Sequence, residues 1–256
     1  MSGITEMIHH DTSNVQKVGN VTIYPDMLQG SDEWFAVRCG VLTASQMKLA
    51  VKKKTDKKTG EVTYPIVDDN KTKIHVQEIA AQKISEHVEP SYQGDAMLRG
   101  HEEEIYAKVL YNEHEAKGYD VGFMTNDKWG FTLGCSPDGL IGADGMIECK
   151  SRIQKYQVKT IATNEMPDEY SIQVQTGLLV SERKWTDFIS YSNGLPMFTL
   201  RIYPDHEVHK AIIAAAKVFY KNVSELMKDY KKHLAKPGAR LIPTERREPN
   251  EGEIII

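Results

Sequence analysis

Apolar positions recur along this chain with two different periods, and the change of period divides it. A spacing of three to four marks one face of a helix; a spacing of two marks one face of a strand. "SDEWFAVRCGVLTASQMKLA", residues 31–50, reads as a helix capped by Ser31, with Asp32 and Glu33 in the first turn, where the helix dipole favours negative charge. Gly40 breaks it, and a second helix start, capped by Thr43 or Ser45, follows. "KIHVQEIAAQKISEHV" has helical spacing. So does "AMLRGHEEEIYAKVLYNEHE", whose Met97, Ile105, Val109 and Leu110 can face a core. From 119 to 150 the period becomes two: "DVGFMTN", "GFTLGCSPDGLIG" and "GMIECKS" are strand-like, with a turn at Asp144–Gly145. "DEYSIQVQTGLLVSE" is helical again, "WTDFISYS" and "MFTLRIYP" are strands, and residues 206–234 form a long amphipathic helix. This order predicts an α/β or α+β fold with a mixed sheet.

The polar ends fall outside that pattern. The expected organisation is a flexible segment over 1–20, one domain over 21–234, and a mobile tail over 235–256 that is rich in Pro, Gly and charge. A chain of 256 residues can bury a sizeable core. No stretch approaches the roughly 18 apolar residues of a membrane span, and the N-terminus lacks a signal-peptide layout. Three scattered cysteines, Cys39, Cys135 and Cys149, offer no CxxC pair for a zinc or iron–sulfur site and fit a reducing cytoplasm. A net charge of −4 argues against a uniform coat for nucleic acid but leaves room for a local basic groove. "KLAVKKKTDKKTG", residues 48–60, is the densest basic stretch, and it reads equally as a solvated loop.

Chemistry concentrates in "SPDGLIGADGMIECKS", residues 136–151. Glu148 and Lys150, two apart on a strand, project from one face. The hairpin-like connection lets Asp138, at the end of the preceding strand, lie beside them. Two converging carboxylates repel unless a cation neutralises them, and hard oxygen ligands suit Mg²⁺, with Mn²⁺ as a substitute. The backbone carbonyl of Cys149 could add an oxygen, and Lys150 could act on the attacking water. A surface hairpin with a cross-strand ion pair would give the same bare pattern.

The surroundings of that pattern carry a resemblance. Pro137-Asp138 ahead of Glu148-Cys149-Lys150 resembles the PD-(D/E)xK nuclease superfamily. "QGSDEWFAVRCGVLTAS" (29–45), "RGHEEEIYA" (99–107), "CSPDGL" and "QVQ" (173–175) are similar, in order, to motifs of the phage lambda exonuclease and YqaJ-type viral recombination nucleases. The resemblance runs from about Gln29 to about Tyr203. It implies an α/β PD-(D/E)xK core, with a mixed central sheet flanked by helices. Asp138, Glu148 and, less securely, Glu104 would hold Mg²⁺; Lys150 would act on the water; and Gln173 would lie beside the site. Arg38, Ser45 and Ser136 would cradle a terminal 5′-phosphate, and a strand-parting wedge would fall near Met97. Trp34 reads as a core anchor. The implied activity is 5′-to-3′ digestion of double-stranded DNA from its ends. It would release mononucleotides and leave a 3′ overhang for a single-strand annealing partner. The implied assembly is a homotrimeric ring. A related endonuclease or resolvase, and an inactive DNA-end-binding protein, are the alternatives.

Overall fold

The computed structural model describes residues 14–89 and 95–246. Its elements, in chain order, are β1 (Gln16–Val18), β2 (Val21–Tyr24), α1 (Asp32–Arg38), β3 (Leu42–Thr43), β4 (Lys54–Thr55), β5 (Val62–Thr63), α2 (Asn70–Ser85), α3 (Asp95–His114), β6 (Phe123–Asn126), β7 (Leu133–Cys135), β8 (Gly139–Ile141), β9 (Gly145–Ser151), α4 (Gln154–Thr163), α5 (Asp168–Ser181), β10 (Trp185–Tyr191), β11 (Phe198–Ile202) and α6 (His206–Leu234). The fold is mixed α/β. One sheet has the order β1-β2-β6-β7-β3, a second β11-β10-β9-β8, and β4-β5 is a separate hairpin.

β9 is the strand that organises the molecule. It runs parallel to β10, with Glu148 opposite Phe188, and antiparallel to β8, with Ile147 opposite Gly139. Its alternation sorts side chains between two layers. Ile147 and Cys149 pack with Ala107 and Tyr111 of α3, whereas Met146 joins the main core with α5 and α6. Position 145 must be glycine, because a Cβ there would come within 2.1 Å of the Trp185 ring on the neighbouring strand.

Helix α5 is buried along almost its whole length from Ile172 to Ser181. α6 presents Val208, Ile212, Ala215, Ala216, Phe219 and Val223 at helical spacing to that core. α2 adds Val76, Ile79 and Ala80, and starts at an Asp69 cap whose carboxylate accepts from the Thr72 amide at 3.0 Å. Each large apolar side chain so buried contributes about 1.5–3 kcal/mol, which makes this three-helix layer the main anchor of the sheets.

Two expectations fail. The second helix capped by Thr43 or Ser45 does not form: Leu42–Thr43 is a strand pairing with β7, followed by a single 3₁₀ turn at Met47–Leu49. The Tyr220 hydroxyl receives the Leu42 amide at 2.8 Å, and Val51 then bridges Ile66, so tertiary contacts override the local helical pattern. On α3 the core face is carried by Ala107 and Tyr111, while Ile105 is 64 % and Val109 48 % exposed. Small Ala107 permits close approach to β9, and the Tyr111 hydroxyl reaches the buried Asp187 carboxylate at 2.6 Å. The side chain of Met97 lies outside the described residues. β1 falls within the stretch 1–20 where patterning places no element, and residues 235–246 form no helix or strand and are exposed. Among the described residues no helix is long and apolar enough to cross a membrane.

Candidate active site

The turn after β7 carries Ser136 and Asp138 into the gap between the two sheets, and β9 delivers Glu148 and Lys150 to the same place. α1, α3 and α5 close the walls. The resulting cavity has a volume of about 550 Å³ and is lined by nine of the residues singled out above: Arg38, Ser45, Glu104, Ser136, Asp138, Glu148, Cys149, Lys150 and Gln173.

One end is acidic. The Asp138 carboxylate accepts from the Cys149 amide at 2.5 Å, and the Asp138 amide donates to the Ile147 carbonyl at 3.2 Å, so the strand pairing itself sets its position. One oxygen of buried Glu148 accepts both from Lys150 Nζ and from Gln173 Nε2, the latter at 2.5 Å. Asp138 is held well above the ordinary carboxylate range, first by desolvation and then by the charges of Glu148 and Glu104, with Lys150 and the Cys149 amide opposing. Glu104 is raised by burial and by Glu148, against Lys108 and Lys150. Burial alone would lower Lys150, but Glu148 and Asp138 outweigh it and keep it a firmly protonated ammonium. Of the three consecutive acids on α3, Glu104 faces this cluster, while Glu103 accepts from Ser151 Oγ at 2.5 Å. The second glutamine of the QVQ run acts away from the cluster. Gln175 accepts from the Asp205 amide and donates to the Tyr203 carbonyl, both at 2.9 Å, and so pins α5 to the start of α6.

The other end is cationic. The guanidinium of Arg38 lies 3.9 Å from the Trp34 ring centroid and donates to Ser136 Oγ at 3.3 Å. Trp34 Nε1 donates to the same hydroxyl oxygen at 3.3 Å and to the Gly122 carbonyl at 3.2 Å. Two donors therefore converge on the Ser136 oxygen, and its own proton is left to donate elsewhere. Burial lowers Arg38 to about 10, so it stays charged at neutral pH, and among the described residues it makes no ion pair. Ser45 lies 3.3 Å from Thr43 Oγ1 on the same wall. Trp34 is buried, as its sequence reading as an anchor implies, but it also serves the cavity as the shelf for Arg38. Arg99 and His101 line the cavity too and carry no signal of their own in the sequence; only their place ahead of Glu104 on the same helix hints at it.

Among the described residues no three His, Cys, Asp or Glu side chains stand ready-grouped around a single metal point. The donor set nonetheless fits a hard cation. Mg²⁺ needs only one or two protein carboxylates and keeps several waters, and here mutually repelling carboxyl groups crowd one end without enough positive charge to balance them.

A central strand that brings an acid and a lysine to one face, beside an aspartate delivered by the adjoining hairpin, is the arrangement of a PD-(D/E)xK-like α/β core. The chain matches the YqaJ-like viral recombinase domain over residues 33–184, more than half its length, and it belongs to that family. Among solved structures it is similar to an alkaline exonuclease from Laribacter hongkongensis, at 27% identity and a TM-score of 0.67, over 80% of this chain and 98% of that one. The same enzyme in complex with dAMP matches at 27% identity and a TM-score of 0.62, over 79% and 99% of the two chains. A phage-related exonuclease from Haemophilus somnus shares the fold at 14% identity and a TM-score of 0.50, over 74% and 96%. A comparison with curated protein sequences finds no match.

Proposed function

We propose that this protein is a Mg²⁺-dependent exonuclease that digests double-stranded DNA from its ends in the 5′-to-3′ direction. It releases mononucleotides and leaves a 3′ overhang for a single-strand annealing partner. The observation that carries this reading is the charge imbalance of one cavity. Its Asp138–Glu148–Glu104 end is short of positive charge, and its Arg38 end has a largely buried cation with no carboxylate to offset it among the described residues. A phosphate monoester bound at Arg38, Ser45 and Ser136, with a divalent cation at the acids, completes both ends. Family membership and the likeness to an alkaline exonuclease support DNA hydrolysis. The dAMP complex of that relative supports a pocket suited to a deoxymononucleotide.

Asp138, Glu148 and the Cys149 carbonyl would hold Mg²⁺, or Mn²⁺ in its place, with Glu104 as a further carboxylate. Bound there, the ion would stabilise charge on the scissile phosphate. Lys150, fixed as an ammonium by Glu148, orients the attacking water and adds positive charge where the phosphate gains negative charge. Gln173 holds Glu148 in place through its amide. Arg38 and the Ser136 hydroxyl bind the terminal phosphate and so set the register of cleavage. Three subunits closing into a ring would keep the net-negative protein on its substrate through many turnovers.

Linear duplexes labelled at the 5′ or the 3′ end, digested with Mg²⁺ or with chelator, test this reading. The expected result is early release of the 5′ label as a mononucleotide, no release in chelator, and intact closed-circular plasmid. Cleavage of closed circles would make the protein an endonuclease, and end binding without hydrolysis would make it an inactive end-binder. Light scattering at the elution peak tests the ring, which predicts three times the 29.0 kDa chain mass.

A further inference from the structure

Beyond Lys150 the chain runs through Ser151, Arg152 and Ile153 into α4, and along this exit cations alternate with tyrosines. Lys150 Nζ lies 5.7 Å from the Tyr170 ring centroid, and the Arg152 guanidinium carbon lies 5.2 Å from the same ring. Arg152 is also 5.0 Å from the Tyr156 ring, and Lys155 Nζ is 4.9 Å from it. The inner members are fixed. Arg152 has a side chain only 9 % exposed, donates to Glu169 and to the Tyr170 hydroxyl at 2.6 Å each, and keeps its Nε buried without a partner.

The outer members are open. Tyr156 is 45 % exposed, and Lys155 is exposed and makes no ion pair among the described residues. Ile153, at the cap of α4, supplies no side-chain acceptor to the first helical amides. The acids of the neighbouring helix start are already matched, Glu169 by Arg152 and Asp168 by Lys53 at 2.6 Å. Exposed aromatic surface flanked by one unpaired cation, Lys155, is therefore continuous, through Arg152 and Tyr170, with the lysine of the cavity.

We propose that the segment Arg152–Tyr156 is a single-stranded DNA subsite. Tyr156 stacks one nucleobase, displacing the flexible Lys155 from its ring, and Lys155 with the first amides of α4 takes the adjoining phosphate. Tyr170 and Arg152 hold this platform at a fixed offset from Lys150. An unpaired strand is the ligand because an exposed ring needs an exposed base face, and both faces of a base are covered inside a duplex. The inference rests on the nuclease reading for the purpose of the subsite, but its test does not use cleavage.

The test is fluorescence anisotropy in chelator with a 5′-hydroxyl oligo(dT) 12-mer, which keeps the phosphate cup out of the measurement, against a 12-base-pair 5′-hydroxyl duplex. Tyr156→Ala should weaken oligo(dT) binding by about fivefold or more, and Tyr156→Phe should restore it. Lys155→Ala should flatten the salt dependence by about 0.7 in log–log slope, the amount expected for one single-strand phosphate contact. Duplex binding and the thermal midpoint should stay unchanged in all three variants. Oligo(dT) affinity within about twofold of wild type in Tyr156→Ala, or an equal loss for duplex and single strand, overturns the subsite. A wild type that binds oligo(dT) in this pattern yet cuts no DNA overturns the nuclease reading instead.

Discussion

The two ends of the cavity are built by opposite strategies. At the acidic end, like charges are forced together by a sheet whose hydrogen bonds fix their spacing, and a lysine and a glutamine both contact one carboxylate oxygen. At the cationic end a single guanidinium is held by an aromatic face and a hydroxyl, with no counter-charge among the described residues. The heart of the first end is an assembly of neighbours on one hairpin, Asp138, Glu148 and Lys150, to which α3 adds Glu104 and α5 adds Gln173. The second brings together residues almost a hundred positions apart. On the proposed function, chemistry that tolerates no misplacement would fall to the strands, and recognition of an end to the looser assembly. The two ends should accordingly fail in different ways.

The largest difference should come from the acidic end. Asp138→Asn, Glu148→Gln and Lys150→Ala should each lower cleavage of every DNA end by about a thousandfold or more, with circular dichroism unchanged. In chelator, Asp138→Asn should also raise the thermal midpoint at neutral pH. A carboxyl held above its unfolded value of 3.8 penalises the folded state at pH values above that value, and the penalty is relieved as pH falls toward it. The midpoint advantage of the Asn variant should therefore shrink on acidification to about pH 4. A variant with wild-type rates, or one with no midpoint gain, breaks the contrast at its stronger end.

Arg38→Ala should slow digestion of 5′-phosphorylated ends by about 10- to 100-fold, the weight of a charged hydrogen bond, and change 5′-hydroxyl ends far less. Competition between the two kinds of end in one tube reads this directly. Equal losses on both would place Arg38 in the fold and remove it from end recognition. Trp34→Phe keeps a ring beneath Arg38 but deletes the donor to Ser136 and Gly122. It should narrow the phosphate preference by several-fold while leaving the rate on hydroxyl ends within about twofold. The smallest effect on rate should come from Tyr220→Phe, which takes a hydroxyl from the strands behind Ser45 and Ser136. Thermal unfolding should show a loss of about 1–3 kcal/mol, with hydroxyl-end rates nearly unaffected.

Legibility from sequence follows the same division. The acid–lysine pair is readable because a strand has a period of two, which places residues 148 and 150 on one face whatever the rest of the fold does. β8 through β11, α5 and α6 stand where their apolar patterns put them: α6 carries one biased face, while α5, β9 and β10 are apolar runs buried on both sides. Nothing local marks Arg38, Ser45 and Ser136 as partners; only the ordered motifs of the family join them. Periodicity misjudges α3, where the buried face is set by a small residue and a tyrosine whose hydroxyl seeks Asp187, not by the largest aliphatics. It also suggests a helix start where β3 stands, because a two-residue strand gated by a distant tyrosine leaves no pattern to read. The hairpin β4–β5 shows in the sequence only as charge, and α4 has no apolar stripe that would predict it.

Tyr220 bears on where this domain can be cut. Its hydroxyl donates to the Thr132 carbonyl at 2.6 Å while receiving the Leu42 amide, so it fastens α6 to the backbone on both sides of the β3–β7 pair. The family match stops at residue 184, yet this clasp, β11 and the apolar stripe of α6 all come from later in the chain. The segment the family match spans is therefore smaller than the unit that packs together, and the alkaline exonuclease likeness, over 80% of this chain, reaches beyond it. A fragment limited to residues 33–184 would retain every residue of the cavity's two charged ends and lose β10, β11 and α6, which back the strands that carry them.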